Sequence, residues 1–186
     1  MTILSSSSPM ACSRASAFSE VDIAARADCH AHVSAPAKLW AYKATLLAHR
    51  GSHGRGKVVI SDDELIEALN TPHMGAFGHL PYLKENSIDK QCISPRPFQM
   101  MHSESPARII DWLHEEVNNV IYRQTQLFPD TFVGVAGLAQ VAGRPIEDAL
   151  PELNRCVTEL GFKGCLLNPD PYENGTVEAP GLGDKY

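Results

Sequence analysis

The sequence predicts an α/β fold built on parallel strands. Two observations carry this reading. Short, near-continuous apolar runs, TFVGVAGL at 131–138 and FKGCLLN at 162–168, are too brief for helices and are bounded by turn residues. Longer amphipathic stretches separate them. Apolar strands alternating with helices point to a parallel sheet covered on both faces. With 44% hydrophobic and 20% charged residues in a chain of 186, the composition is globular and excludes a disordered or collagen-like chain.

The elements follow in order. A strand is expected just before His30. Residues 36–50 are helix formers throughout and stop at Gly51, a helix terminator. Ser61 with Glu64 three residues later is a capping box, which opens a helix running to about Asn70. Residues 78–86 form a shorter helix, and KQCIS at 90–94 a strand ended by Pro95. Over 106–128, Ile109, Leu113, Val117, Val120 and Ile121 recur on one face of a long amphipathic helix. The strand at 131–138 is followed by a helix that starts at Pro145, carries the stripe Ile146, Ala149, Leu150, Leu153, Val157 and Leu160, and ends at Gly161. The strand at 162–168 closes the series, stopped by Pro169. That makes four β/α units. A (β/α)₈ barrel takes about 250 residues, so the chain is either a small open α/β sheet or the front half of a barrel.

Residues 1–27 do not share this pattern. They are Ser-rich, have no acid before Glu20, and are expected to be a disordered leader, with a targeting segment as the alternative. The domain proper is expected to span 28–186. Lys+Arg 16 against Asp+Glu 22 leaves a net charge of −6, which argues against a nucleic-acid-binding surface. No apolar run approaches the ~20 residues of a membrane span. Five scattered cysteines without a C-x-x-C pair argue against a disulfide framework or a thiolate zinc site, and predict a soluble, cytoplasmic chain.

The chemistry concentrates in Asp28-Cys29-His30-Ala31-His32. Residues two apart on a strand point the same way, so His30 and His32 can aim their imidazoles at one point. Imidazole suits zinc and other first-row ions, but a catalytic site takes three protein ligands, and two histidines do not complete it. Ser94-Pro95-Arg96-Pro97 follows a strand directly, at the end where α/β folds gather their ligands. Arg96, stiffened by two prolines, is placed to grip a carboxylate; an ion pair with a nearby acid is the alternative. Asn168 holds the equivalent place after the last strand, where a turn-forming role before Pro169 also accounts for it. Gly51 to Lys57 matches G-x-x-x-x-G-K, yet Val58 stands where a phosphate loop needs Ser or Thr; the segment is expected to be a solvated loop. His73, His79 and His102 are expected to be surface or lid residues and His114 a surface residue of the long helix; Asp62-Asp63 is expected to be a solvated pair at a helix start, and Glu115-Glu116 to lie on a helix face.

Taken together, Asp28-Cys29-His30-Ala31-His32, Ile93-Ser94-Pro95-Arg96, Leu127 to Phe132 (LFPDTF), Glu159 to Cys165 (ELGFKGC) and Asn168-Pro169-Asp170-Pro171 resemble the amidohydrolase superfamily, in its branch of metal-dependent decarboxylases and hydratases. The resemblance implies a partial (β/α)₈ TIM barrel, about its first four β/α units, with one zinc at the carboxyl ends of the strands. His30 and His32 match two of its ligands; a histidine and an acidic ligand, with most acid/base residues, are expected beyond Tyr186. Arg96 and Ser94 match a substrate-carboxylate segment, and Asn168 lies at the rim of the fourth strand. The implied activity is hydration of a carbon–carbon double bond in a small polycarboxylate. Decarboxylation of a related carboxylated aromatic or muconate semialdehyde, and a non-catalytic α/β binding module, are the alternatives. The catalytic residues are left unassigned. The chain is expected to be an amino-terminal fragment that binds metal weakly, does not turn over alone and pairs through its open sheet edges into homo-oligomers.

Overall fold

The computed structural model describes residues 26–73 and 75–171. The Ser-rich leader, apart from its last two residues, and the tail beyond Pro171 lie outside them. The elements are β1 (Ala27–His32), α1 (Ala37–His49), α2 (Asp62–Asn70), α3 (His79–Glu85), β2 (Lys90–Ser94), α4 (Ala107–Leu127), β3 (Phe132–Gly137), α5 (Leu150–Thr158) and β4 (Gly164–Leu166). All neighbouring strands are parallel, and the sheet order is β1-β2-β3-β4.

That order decides between the two architectures left open by the sequence. Parallel β/α/β connections are right-handed almost without exception, so strands added successively on one side put the crossover helices on the same face. A doubly wound open sheet needs a reversal in strand order, and this sheet has none. The fold is therefore the first half of a (β/α)₈ barrel, curled around an uncompleted interior. The burial of β3 agrees: Phe132, Gly134 and Ala136 are buried, whereas Val133 and Val135 between them are half-exposed. The expectation of a sheet fully covered on both faces thus fails for a physical reason: the second face is the barrel's interior side.

Local chemistry explains the helices. α1 ends where Arg50 and Gly51 both turn to positive φ, 52° and 70°, and a Cβ on Gly51 would come within 2.8 Å of Arg108 Nε. α2 carries its capping box: Glu64 N–H donates to Ser61 Oγ at 3.2 Å, and Ser61 N–H donates to Glu64 Oε2 at 2.8 Å. α4 packs against α1, α2 and β3, burying Ile109, Ile110, Leu113, Val117, Val120 and Ile121. Each such side chain contributes about 1.5–3 kcal/mol. With Leu39, Leu46, Leu65, Leu69, Ile93 and Phe132, these residues form one continuous core.

Three expectations are corrected. The helix placed after Pro145 is broken: residues Ile146–Ala149 form a 3-10 turn and α5 begins at Leu150. Pro151 lacks the N–H that an unbroken α-helix would donate to Glu147. His114 is fully buried and His102 is 3% exposed, because α4 is covered on more than its apolar stripe. The glycine-rich 51–57 loop is not simply solvated: Arg55 binds Glu115 and Glu116 at 2.7 Å each, which ties the loop to α4.

Candidate metal centre

β1 carries His30 and His32 to its carboxyl end, next to Ser94 of β2. The β1–β2 register slips between Asp28 and Ala31, so Cys29 and His30 lie in an irregular stretch of the ladder. Such bulges re-aim side chains beside functional sites. The two imidazoles stand edge to face, with ring centroids 5.0 Å apart. His32 Nδ1 is 3.0 Å from the Pro95 carbonyl oxygen and 3.2 Å from Ser94 Oγ. A carbonyl only accepts, so Nδ1 carries the proton and Nε2 keeps its lone pair. Burial holds the His32 pKa below its ordinary value, opposed by the Pro95 carbonyl and reinforced by His30 and Arg96. A neutral ring with Nδ1–H on a backbone carbonyl is the state in which imidazole binds a metal through Nε2.

A cavity of about 490 Å³ brings His30, His32, His73, His79, Gln91 and Arg96 to one space, with Asp28 in its wall. Arg96 also lines an adjoining cavity of about 350 Å³ with Trp40, Phe98 and Gln99. Among the described residues its guanidinium has no hydrogen-bond or ion-pair partner, whereas Arg50, Arg55, Arg123, Arg144 and Arg155 are each paired with a carboxylate. An unpaired cation in a cleft is a ready anion site.

The sequence-derived residues separate into two groups. His30, His32 and Arg96 share the cavity. Ser94 is 4% exposed and lies beneath it: its hydroxyl donates to the Ala31 carbonyl at 2.9 Å and sits beside His32 Nδ1. Asn168 is not among the described residues that line it. Asn168 Oδ1 accepts from Asp170 N–H at 2.9 Å, and its backbone is bound on both sides by the Gln140 amide. His73, His79 and Gln91 were not assigned to the site from sequence. The signal for Gln91 was available, since it sits three residues before Ser94 on the same strand; nothing in the sequence brings the loop before α3 over β1.

The donors fit a divalent ion as two imidazole ligands, with the second ring nitrogen of His32 already anchored. Among the described residues no group of three or more His, Cys, Asp or Glu could hold a metal. Asp28 is committed elsewhere: its oxygens accept from Gln91 Nε2 at 2.8 Å and from His30 N–H at 3.0 Å. Those two bonds hold its carboxyl below the usual carboxylate range.

The amidohydrolase family model matches residues 27–181. The 2-keto-4-carboxy-3-hexenedioate hydratase of Sphingobium sp. strain SYK-6 is 34% identical over 163 residues, covering 86% of this chain and 46% of that protein. The crystal structure of 4-oxalomesaconate hydratase from Rhodopseudomonas palustris superposes with a TM-score of 0.70 at 30% identity, over 86% of this chain and 46% of that one. A dihydroxybenzoic acid decarboxylase from Polaromonas sp. JS666, solved with manganese and 2-nitroresorcinol, shares the fold at a TM-score of 0.50 and 21% identity, over 77% of this chain and 38% of that one. The chain thus spans about half the length of the hydratases it matches. No helix among the described residues is long and apolar enough to cross a membrane. A family match over most of the chain, on a half barrel whose first strand ends in two facing histidines, establishes that the chain belongs to the amidohydrolase family.

Proposed function

We propose that this chain is the amino-terminal half of a zinc-dependent hydro-lyase that adds water to the carbon–carbon double bond of 4-oxalomesaconate in protocatechuate degradation. The observation that carries the reading is the unpaired Arg96 guanidinium in the cavity that holds His30 and His32. The hydratase relatives, whose named substrates are polycarboxylates, support it.

His30 and His32 hold the zinc, and Arg96 binds a substrate carboxylate. A bound zinc ion supplies Lewis-acid activation of a substrate oxygen or of water. This chain's own residues orient. Ser94 and the Pro95 carbonyl fix the His32 ring, and Arg96 grips the carboxylate through its fork of N–H groups, which restricts substrate rotation. Ser94 therefore acts on the substrate through His32, and Asn168 shapes the rim turn after β4. Proton transfer to carbon falls to groups outside this half. Decarboxylation of a carboxylated aromatic is the second reading; the shared fold of the dihydroxybenzoic acid decarboxylase favours it, and it uses the same Arg96.

Trp40 lines the cavity that adjoins Arg96, so its fluorescence reports binding. Titration of the zinc-supplemented chain with 4-oxalomesaconate is expected to saturate, and Arg96→Ala to weaken binding at least tenfold. Equal binding by the variant overturns the Arg96 assignment. Tighter binding of 2,6-dihydroxybenzoate than of 4-oxalomesaconate transfers the reading to the decarboxylase.

A further inference from the structure

Asp28, Gln91, His79 and Ser34 form a directed chain of hydrogen bonds that leaves β1 before the two histidines and returns to the chain after them. A deprotonated carboxylate only accepts, so the bond between Asp28 Oδ2 and the Gln91 side chain, 2.8 Å long, fixes the Gln91 amide with its NH₂ toward Asp28. Gln91 Oε1 then faces His79 Nε2, and this nitrogen must carry the proton. In the neutral ring His79 Nδ1 is left as an acceptor, 3.0 Å from Ser34 Oγ, whose hydroxyl donates to it. His79 is half-buried, and its burial favours the neutral ring, opposed by the Gln91 bond. At the other end, Asp28 Oδ1 accepts from His30 N–H at 3.0 Å, within the stretch where the β1–β2 register is irregular.

We infer that His79 is a positioning residue for His30 and His32, closing a hydrogen-bonded loop that brackets both from residue 28 to residue 34. The inference rests on reading the two histidines as metal ligands and adds the residue that sets their geometry. His79 touches neither ring in this role. It orients Gln91, which holds Asp28, which fixes the irregular backbone at His30, while Ser34 anchors the chain just beyond His32. Ser34 is tied down independently, since its carbonyl accepts from Gln124 Nε2 at 2.8 Å. His79 therefore links β1 to a point secured by α4. Its place at the first position of α3 gives that short helix a purpose beyond connecting α2 to β2.

The loop has a predicted polarity and a predicted reach, and both are measurable in the 186-residue chain. Long-range ¹H–¹⁵N NMR at neutral pH is expected to show His79 as the neutral Nε2–H tautomer. In His79→Ala, hydrogen exchange at the His30 amide is expected to rise at least tenfold. The Val33 amide, which donates to the Ser94 carbonyl at 2.8 Å, is expected to keep its wild-type rate and serves as the fold control. His79→Gln can still donate to Gln91 Oε1 and should return the His30 amide close to wild type. Zinc affinity should fall about tenfold in His79→Ala, as is typical when a partner outside the ligand set is removed, and recover in His79→Gln. An unchanged His30 exchange rate in a folded His79→Ala chain overturns the positioning role, as does an Nδ1–H tautomer. If wild type takes up no zinc, the ligand reading fails by itself, and the exchange comparison still decides whether His79 holds the bracketed segment.

Discussion

His114 makes the stability of this chain acid-sensitive. Its ring is fully buried in α4. Nδ1–H donates to the Ile110 carbonyl at 2.9 Å, and Nε2 has no partner among the described residues. Protonation would place a cation beside the His102 ring, 5.1 Å away, with a new N–H that no described residue receives. Burial, reinforced by His102 and only partly opposed by the Ile110 carbonyl, lowers the pKa from 6.5 to about 3. The sign follows from proton linkage. The unfolded chain binds a proton below pH 6.5 that the folded chain refuses until about pH 3, so stability is full above pH 6.5 and is lost as pH falls toward 3. The limiting slope is about 1.4 kcal/mol per pH unit, and the loss between pH 7 and pH 5 comes to about 2 kcal/mol. Urea unfolding at both pH values, on wild type and His114→Gln, isolates the effect from that of other titrating groups. Wild type should lose about 2 kcal/mol more than the variant over this range. Equal losses in the two proteins, or an NMR titration midpoint for His114 near 6, would refute the reasoning.

Two further perturbations test the packing that presents the strand ends. Asn118 is fully buried; its side chain accepts from Gly137 N–H at 2.8 Å and donates to Gly137 O at 3.1 Å and to Glu152 Oε1 at 2.9 Å. Asn118→Ala strands a buried donor and acceptor at the end of β3, and urea unfolding should show a loss of about 2–4 kcal/mol, against less than about 0.5 kcal/mol for exposed Asn154→Ala. A Cβ at Gly134 would sit 2.4 Å from the Phe162 ring, so Gly134→Ala should cost about 1–3 kcal/mol; pairing it with Phe162→Leu should recover part of that loss, measured by the same method.

What was legible in the sequence was mostly local. The Ser61 capping box, the KQCIS strand and the long helix bounded by Pro106 and Phe128 depend on neighbours within a few positions, and all stand where the pattern put them. His30 and His32 were legible as a facing pair for the same reason. His114 was misplaced because its neighbour across the core, His102, lies in a separate loop, and helical periodicity counts apolar side chains only. The helix after Pro145 was drawn too long because its apolar stripe runs on through both segments, while the donor missing at Pro151 went unweighed. The site's supporting network was out of reach, since Asp28 and Gln91, and Gln91 and His79, meet only when β1, β2 and α3 are assembled. The choice between open sheet and half barrel also lay in assembly, in an uninterrupted strand order that no residue pattern encodes.

The central claim is that His30 and His32 bind a divalent metal at the end of β1. Equilibrium dialysis of the 186-residue chain and of the His30→Ala/His32→Ala double variant against zinc, with mass from light scattering, tests it directly. Wild type should retain zinc, weakly for a two-imidazole site, and the double variant should lose it while circular dichroism stays unchanged. Zinc absent from wild type, or retained equally by the folded double variant, would contradict the account.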